Sequence, residues 1–502
     1  MRAYGDMTVY YVNSATGANN NSGTSEDAPF ASFWAVENLK LQPGDTVLLA
    51  AGSVYNDQLD LKYSGTASAP ITIGSYGIGD APVIHSPGDG IHSLYASNIV
   101  IENIKISDTG GAAIYGGYVS NWTVRNVEVD HTGLAGKSGS VTFRTGSNIT
   151  IENSTINDVN GDGVWIEKIN GVTLLNNTVT NAHGTTADAV QMNDSSNILI
   201  SGNYLDQTGA VSPKGVLALV RPVNAVIEDN TLVGGGFGVA AQAGTNIAIH
   251  DNDISGYGGY SWSYAVGLGD QGDTRDYDIS GNYIHDGVWG VVVSSAGTTS
   301  YVREDIDVHN NVFDDLSQAA LKVDRPASGA FHDNVIASDV TPYSISPAII
   351  AANTFPVSNN TTLEEADALF VSLDSHVAGD TTHVGAAPII VAAHDSLKIS
   401  ADTDDAHHGN LLENDSSANG ILLLRRFEGE VVGKNGLTLT GQYGTIHVDD
   451  HGDYSYTLDA AKLAGVSGDV SETFHYKISD GAAHHFDTDT LSISIDVDGV
   501  LI

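Results

Sequence analysis

The sequence of 502 residues contains no cysteine, which excludes both disulfide bonds and a thiol nucleophile. Basic residues are also scarce: 20 lysines and arginines stand against 61 aspartates and glutamates, for a net charge of −41. A surface of that sign repels nucleic acids and anionic membranes, so we expect neither as a partner. The sequence has no run of about 18 apolar residues that would span a membrane, and no cleavable N-terminal signal.

What the sequence does contain is a short motif that recurs at a nearly constant interval. It reads SNIVIEN at residues 97–103, SNWTVRN at 120–126, SNITIEN at 147–153 and SNILISGN at 196–203. Its leading asparagines are 22 to 27 residues apart: Asn98, Asn121, Asn148, Asn170, Asn197, Asn224 and Asn246. A fixed period in the twenties with alternating apolar residues is typical of a solenoid with one coil per repeat. The alternative, a β-sandwich with evenly spaced strands, does not account for a sequence motif that repeats so closely.

We therefore predict an all-β protein whose main domain, residues 1–345, is a right-handed parallel β-helix of roughly ten coils. Residues 32–39 form a short amphipathic segment, and we expect it to be a helix that caps the open first coil and blocks edge pairing. The repeat ends near Asn334. Residues 346–392 lose it and are interpreted as a closing segment and linker.

The last part of the chain, residues 393–502, has alternating strands and tight turns, which predict a small β-sandwich. Its segments GNLLENDS, GQYGTIHVDDHGDYSYTL and SETFHYKISDG resemble the cadherin-like repeats of large exported bacterial proteins. The resemblance implies an extracellular module, often stabilised by calcium and sometimes glycan-binding. The terminus SIDVDGVLI resembles a type I secretion tail, so we expect secretion without a cleaved signal peptide. We also expect the protein to be a monomer.

Aligning four coils on one strand predicts a polar outer face on the β-helix. In residues 139–145, 162–168, 188–194 and 214–220, alternation directs Val141, Val164, Val190 and Val216 inward, together with the second residue after each. In the last of these strands, Leu217 and Leu219 are expected to point outward. The outward side chains that suit substrate binding are Arg144, Trp165, Gln191 and Asn193.

The same alignment places Asp162, Asp188 and Lys214 at successive strand starts, 26 residues apart. Adjacent rungs lie about 4.8 Å apart, so the two carboxylates would repel each other unless a cation lies between them. We therefore predict a Ca²⁺ ion held by Asp162 and Asp188, with Glu167 as a third ligand. The alternative is that both aspartates only cap the tight turns before their strands.

Three further side chains are candidates for catalysis. Lys214 is a cation aligned with two aspartates, although it could equally be an exposed lysine paired with Asp188. Arg221 follows the same strand and could bind a carboxylate in a bidentate manner. His183 lies on the turn that leads to Asp188 and is a candidate proton carrier, or an ordinary solvated turn residue.

The repeated coil motif and the segment ITIGSYGIGDAPVI at residues 71–84 resemble the pectate-lyase-like superfamily of parallel β-helices. The resemblance covers roughly residues 8–340. Members of that superfamily cleave acidic polysaccharides by β-elimination, many of them with calcium on stacked acidic residues and a lysine or arginine as base. With the cadherin-like end, the chain is similar to secreted bacterial exopolysaccharide lyases. The resemblance implies a Ca²⁺-dependent lyase that acts on a uronate-containing polysaccharide, with Lys214, Arg221 and His183 as catalytic residues.

Two other functions remain open from the sequence. An inverting glycoside hydrolase on the same fold would need two carboxylates on either side of the scissile bond, and Asp162, Glu167 and Asp188 could supply them. A non-catalytic glycan-binding surface protein would need none of these roles. The products separate the three, because a lyase forms an unsaturated sugar, a hydrolase adds water, and a binding protein leaves the polymer intact.

Overall fold

The structure is a computed structural model that divides into two compact units, residues 1–367 and 368–502. In the first unit it describes residues 7–134, 139–293 and 300–363. In the second it describes residues 392–400, 406–416, 422–428, 430–432, 436–449, 451–463, 468, 470–479 and 486–497. Most of the predicted linker and the last five residues of the predicted secretion tail lie outside these ranges. Within them, no helix has the length and apolar character needed to cross a membrane.

The first unit is a parallel β-helix in which each coil contributes a strand to each of three ladders. The first ladder, here called the first sheet, carries the predicted site. Its strands are Leu59–Asp60, Ile91–Leu94, Ile114–Arg125, Val141–Glu152, Val164–Leu175, Asp188–Asn193, Gly215–Val220, Phe237–Gln242, Tyr264–Leu268, Trp289–Val293, Ala319–Val323 and Thr341–Ile345.

The second sheet follows the first around one corner of each coil. Three of the strands above, each of 12 residues, turn this corner without a break and belong to both sheets. Its other strands are Val9–Val12, Thr46–Ala50, Ile71–Tyr76, Ile99–Glu102, Ser196–Ser201, Val223–Glu228, Thr245–His250, Thr274–Ser280, Arg303–His309, Gly329–His332 and Val357–Ser358.

The third sheet closes the coil and has 13 strands. They are Val54–Asn56, Val83–Ser86, Lys105–Thr109, Glu128–Asp130, Thr155–Asn160, Thr178–His183, Tyr204–Asp206, Thr231–Val233, Asp253–Ser255, Tyr283–Ile284, Val312–Phe313, Val335–Ala337 and Thr361–Leu363. The number of coils is therefore higher than the ten predicted. The prediction was too low because the N-terminal coils and the last ones lack the repeated sequence motif.

The interior is one continuous apolar core, since each coil can bury its apolar side chains only against its neighbours. The predicted inward residues confirm this: Val141, Phe143, Val164, Ile166 and Val190 are at most 1% exposed. Helix Phe33–Glu37 packs Phe33 and Val36 into the first coils, as predicted for a cap.

The predicted end of the β-helix at residue 345 is too early. Val357 pairs with Phe331 and Thr361 with Val335, so regular coils continue to Leu363 after helix Pro347–Ala352. The sequence does not reveal this coil because Thr361 and Thr362 stand where the preceding coil has Val335 and Ile336. Parallel backbone hydrogen bonds hold them regardless of side chain.

The exposed asparagine column is present at the corner before the second sheet. Asn98, Asn121 and Asn148 all have φ near +56°, and each side-chain amide donates to the asparagine of the preceding coil at 2.8 to 2.9 Å where one is present. Asn170 departs from the prediction. It pairs in register with Ser147, and Gly171 takes the left-handed position with φ of +86°. The Asn170 side chain still accepts from the Asn197 amide, so the corner position changes while that contact of the column is kept.

A second asparagine ladder, which the sequence analysis did not separate from the first, lies inside the β-helix. Its members are buried, and each side-chain nitrogen donates to the next asparagine's Oδ1 at 2.9 to 3.0 Å. They are Asn177, Asn203, Asn230, Asn252, Asn282, Asn311 and Asn334, with the partly buried Asn360 as the last acceptor. The ladder satisfies backbone groups where each coil turns towards the third sheet.

The second unit has two sheets and its own apolar core, as expected for a β-sandwich. One sheet contains Asp395–Ser400, Phe486–Asp496, Val470–Ser479, Leu423–Phe427 and Glu430–Val431. The other contains His407–Asn410, Asp453–Leu458, Gly444–Val448 and Leu437–Thr440. Its described helix is the single turn Ala460–Leu463.

Replacing Asn230 by alanine is expected to destabilise the β-helix by about 1–3 kcal/mol. Asn230 donates to the Ile200 carbonyl at 2.8 Å and accepts from the Asn203 backbone and side chain, each at 2.9 Å, so the substitution leaves buried groups unpaired. Urea denaturation followed by tryptophan fluorescence measures this in the full chain, because all five tryptophans lie before residue 290.

The matched control is Asn224→Gly in the exposed column, where glycine accepts the φ of +54° and water replaces the amide. A loss for Asn224→Gly as large as that for Asn230→Ala would contradict a special role for the buried ladder.

Candidate functional site

A corner at the start of each strand in the first sheet determines which side chains reach the outer surface. Ala189 and Val190 are consecutive, and both are fully buried in the core. A Cβ at Gly163 would lie 2.4 Å from the Val179 side chain, so that position also faces inward. The residue before each such pair, including Asp162 and Asp188, is therefore directed to the outer side of the sheet.

The strand that contains Lys214 is shifted by one residue from the predicted alignment. Val190 pairs with Leu217 and Gln191 with Ala218, so this coil has 27 residues rather than 26. Leu217 and Leu219 consequently face the core, and Ala218 faces outward, the reverse of the prediction. The extra residue lies in the turn before the strand, where apolar alternation gives no count.

Lys214 nevertheless reaches Asp188, because it precedes Gly215, the residue that shares a rung with Asp188. Its Nζ lies 3.0 Å from Asp188 Oδ2 and 5.6 Å from the centre of the Phe237 ring. The Asp188 side chain is fully buried, whereas that of Lys214 is 41% exposed. An amine is thus presented at the surface and anchored to a carboxyl beneath it.

Asp162 and Asp188 are stacked on adjacent rungs, as predicted. The Asp188 backbone N–H donates to Asp162 Oδ1 at 2.9 Å. Asp188 Oδ1 is buried and has no hydrogen-bond partner within 3.5 Å. One of the two carboxylates is thus used as a turn acceptor, and the other retains an oxygen without a partner.

Burial raises the pKa of both carboxyls. It raises the pKa of Asp162 to about 7, with a further increase from the charge of Asp188 and a partial reduction by the Asp188 N–H. It raises the pKa of Asp188 to about 6, against the opposing effect of the Lys214 ammonium. Both groups can therefore exchange protons near neutral pH.

Two aromatic residues that the sequence did not predict for the site continue the row from Lys214. Phe237 and Tyr264 occupy the strand-start position in the next two coils, and their rings stack at a centroid distance of 5.6 Å. Gly215 leaves the space for this arrangement, since a Cβ there would lie 2.2 Å from the Phe237 ring. Burial raises the pKa of Tyr264, which accordingly keeps its proton. Extending the strand alignment by two coils, to FGVAAQ and YAVGL, would have found both rings.

The predicted outer face is present, but its two charged members pair with each other. Arg144 and Glu167 lie opposite each other on adjacent rungs, and the Arg144 Nε lies 2.8 Å from a Glu167 carboxylate oxygen. Lys168 lies 3.1 Å from the other oxygen, and these two cations lower the pKa of Glu167 against the effect of its partial burial. Arg144 therefore has a carboxylate partner within the protein.

The uncharged members of that face lie side by side in one register. Trp165 lies opposite Gln191 on the adjacent rung, and the Gln191 side chain donates to Asn193 Oδ1 at 2.8 Å. The Trp165 ring lies under Arg144, whose guanidinium carbon is 5.0 Å from the ring centre, and against Gly139. Its indole nitrogen is buried without a hydrogen-bond partner. The ring is thus partly covered, and Trp165, Gln191 and Asn193 are all half-buried.

The predicted calcium ion does not fit the residues at this position. Glu167 pairs with Arg144 and Lys168, and in the described part of the chain it forms no ligand group with Asp162 and Asp188. The Lys214 ammonium already lies on Asp188. Because calcium takes six to eight oxygen ligands, two carboxylates, one of them bound to an ammonium, do not make a site for it.

Arg221 is not brought to the Lys214 amine. The two residues flank the six-residue strand Gly215–Val220, which spans about 20 Å. Arg221 forms a two-pronged ion pair with Asp194, with the Nη2 at 3.0 Å. This pair lies at the far edge of the sheet.

Both ring nitrogens of His183 are engaged by the protein. Its Nδ1 accepts from the Val211 N–H at 2.8 Å, and its Nε2 lies 2.7 Å from Asp158. An imidazole that accepts at Nδ1 carries its proton on Nε2 and donates it to the carboxylate. His183 thus holds the turn before Lys214 rather than pointing into the outer face.

Two family models match parts of this chain. Residues 71–205 match the right handed beta helix region, and residues 385–496 match the bacterial Ig domain. The fold class predicted from sequence, a right-handed β-helix followed by a β-sandwich, is therefore confirmed.

Two curated proteins are similar over short stretches. Lacto-N-biosidase of Bifidobacterium longum is 52% identical over 87 residues, which is 16% of this chain and 5% of that protein. The calcium-binding lectin RapA2 of Rhizobium johnstonii is 45% identical over 103 residues, which is 19% of this chain and 42% of the lectin. The chain thus matches less than half the length of either relative.

Among solved structures, the GH136 lacto-N-biosidase of Eubacterium ramulus aligns with a TM-score of 0.51. The alignment covers 71% of this chain and 68% of that one, at 15% identity. At that identity the similarity concerns the fold.

Replacing Asp162 by asparagine is expected to stabilise the protein at pH 8 and to change little at pH 4. The folded pKa of about 7 exceeds the unfolded value of about 3.9. The folded state therefore holds the extra proton between these values, and wild-type stability falls as pH rises through this window. Ionisation costs the folded protein ~4 kcal/mol there, which the amide avoids while still accepting from the Asp188 N–H.

Urea midpoints at pH 4, 6 and 8, read by tryptophan fluorescence, test this. The control is Asp80→Asn at an exposed loop position, for which we expect no change. A pH profile of Asp162→Asn that runs parallel to wild type would mean that Asp162 ionises like an exposed aspartate.

Proposed function

We propose that the β-helix cleaves an acidic polysaccharide by β-elimination on the outer face of the first sheet, with Lys214 as the base. The observation that carries the proposal is the partly exposed Lys214 amine held 3.0 Å from a fully buried carboxyl. The Gln191 amide, which suits a sugar hydroxyl, lies on the same outer face, where it pairs with Ala218 of the Lys214 coil. The similarity of parts of the chain to a glycan-cleaving enzyme and to a lectin is consistent with a carbohydrate as ligand.

The amine must lose its proton before it can act as a base. Asp188 accepts from it directly, and the raised pKa of this carboxyl, about 6, makes that transfer easier than to an exposed aspartate. In the elimination, Lys214 Nζ takes the proton from C5 of a uronate. The C5 electrons form the C4–C5 double bond, and the C4–O bond breaks.

Asp162 fits a second part of the reaction, the neutralisation of the uronate carboxylate. With a pKa raised to about 7 by burial, it can carry a proton near neutral pH and in that form donates to the uronate carboxylate instead of repelling it. The departing C4 oxygen takes its proton from water, because burial raises the pKa of the Tyr264 hydroxyl and makes it a weaker acid.

Hydrolysis is the second candidate, and the same pKa favours it. A general acid must be protonated at working pH, and Asp162 meets this condition. Asp188 would then be the second carboxylate that a glycosidase needs. The reaction products distinguish this candidate from elimination.

For the second unit we propose secretion and calcium binding rather than catalysis. The similarity of part of the chain to a calcium-binding lectin supports the calcium proposal, and a net charge of −41 suits a protein that meets calcium outside the cell. We further propose that the protein acts as a monomer.

Lys214→Ala and Lys214→Arg are each expected to reduce cleavage by about 10²- to 10⁴-fold, as for loss of a general base. Alanine removes the amine, and arginine is too basic to give up its proton. The Lys214→Ala protein is expected to fold, because Asp188 can take a proton instead of remaining a buried charge. The assay uses polygalacturonate, alginate and a glucuronate-containing exopolysaccharide, followed by ultraviolet absorbance of the unsaturated product and by reducing ends.

The control is Lys62→Ala, an exposed lysine paired with Glu37 in the N-terminal coils, which should keep wild-type activity. New reducing ends without absorbance would replace elimination by hydrolysis. Near-normal turnover by Lys214→Ala would remove Lys214 as the base.

Excess chelator is expected to leave cleavage unchanged, because Lys214 occupies the carboxyl that the sequence assigned to calcium. Calcium is expected instead to slow amide hydrogen exchange in residues 393–497 and not around Asp162 and Asp188. Loss of cleavage in chelator, restored by calcium, would return the metal to these two aspartates.

A further inference from the structure

Two exposed aromatic rings lie on a loop next to the proposed site. Tyr260 is 51% and Trp262 is 48% exposed. Their rings stack with centroids 4.7 Å apart and planes inclined by 9°. We call this pair the aromatic platform. Exposed stacked rings offer apolar surface that a ligand can cover.

The platform is held rigidly by its surroundings. The Trp289 side chain donates to the Ser261 carbonyl at 3.0 Å, and its backbone N–H donates to the Ser263 carbonyl at 3.1 Å. Both rings rest on Gly236, where a Cβ would lie 3.1 Å from Trp262 and 3.4 Å from Tyr260. A pre-formed surface loses little conformational entropy when a ligand binds.

An unbroken series of rings connects the platform to the Lys214 amine. The Trp262 ring lies 6.2 Å from Tyr264, Tyr264 lies 5.6 Å from Phe237, and Phe237 lies 5.6 Å from Lys214 Nζ. The backbone of Gly236, beneath the platform, also donates to the Lys214 carbonyl at 3.0 Å. The series crosses the rungs, so it runs along the axis of the β-helix rather than along a strand.

We propose that the aromatic platform is a sugar-binding subsite, and that the polysaccharide lies along the β-helix axis from Lys214 to Tyr260 and Trp262. Sugar rings present apolar C–H faces that stack on aromatic side chains. Strand starts of the Asp188 and Tyr264 coils are three rungs, or about 14 Å, apart, a span that several linked sugars fill. The placement of the reaction rests on the function proposed above, whereas sugar binding by the platform does not.

A protein partner fits the platform less well. A stable protein interface buries about 1,200 Å² or more in total, and two rings beside open glycines at 258 and 259 offer far less apolar surface. A glycan needs only the exposed ring faces of Tyr260 and Trp262.

Trp262→Ala is expected to weaken polysaccharide binding about tenfold, the equivalent of the 1.4 kcal/mol at the upper end for one aromatic contact. Tyr260→Ala should weaken it less, and Trp262→Phe should retain part of the affinity. Affinity electrophoresis in gels that contain polygalacturonate, alginate or a glucuronate-containing exopolysaccharide measures this with the full chain, in the Lys214→Ala background to prevent cleavage. The matched control is Trp34→Ala, a somewhat more exposed tryptophan on helix Phe33–Glu37.

The outcomes separate this proposal from the proposed reaction. Weaker binding by Trp262→Ala, with Trp34→Ala and the melting temperature unchanged, supports the platform even if no polymer is cleaved. In the protein that keeps Lys214, Trp262→Ala should raise the KM for the polysaccharide and leave kcat unchanged. Equal retardation of Trp262→Ala and its parent, or no retardation of the parent by any of the three polymers, would overturn the platform whether or not Lys214 is the base.

Discussion

Backbone hydrogen bonding between successive coils is the constraint on which the rest of this molecule depends. Parallel strands must lie about 4.8 Å apart, so residues one coil apart in sequence become neighbours in space. The same spacing stacks the apolar residues into one core, the inner asparagines into a ladder, and Asp162 on Asp188. A coil with an extra residue can take it up in a turn without disturbing its neighbours.

The proposed site follows from what this stacking does to charge. When a solenoid stacks two aspartates at the starts of adjacent strands, a further coil that covers one of them removes that carboxyl from water. Asp188 is enclosed in this way, and its pKa rises because water no longer stabilises the ionised form. Lys214 compensates for that loss without being buried itself. The result is an amine at the surface that is anchored to a carboxyl below it.

Several features were predictable because they depend only on local pattern. Alternation placed Val164, Trp165 and Glu167 on their correct sides, and the motif spacing predicted the parallel coils. The errors have a common cause in turns, where one residue more or less leaves no apolar signature. That is why the alignment places Lys214 level with Asp188 instead of one position before its partner, and why it gives Asn170 the left-handed position that Gly171 takes. The assignment of Glu167 to a metal has a different cause: the alignment places Arg144 on the next rung, but it does not show that the two side chains pair.

The sequence by itself determined the class of fold, the orientation of most strands and the pair of stacked aspartates, since each follows from a period that the chain repeats. The tertiary structure decided which charges neutralise one another. It joined Arg144 to Glu167, Arg221 to Asp194 and Lys214 to Asp188. It also brought Phe237, Tyr264 and Trp262 into one series beside the amine. The physical reason is that ion pairing, burial and ring stacking depend on distances between side chains of different coils, and those distances exist only after every turn has taken up its own number of residues.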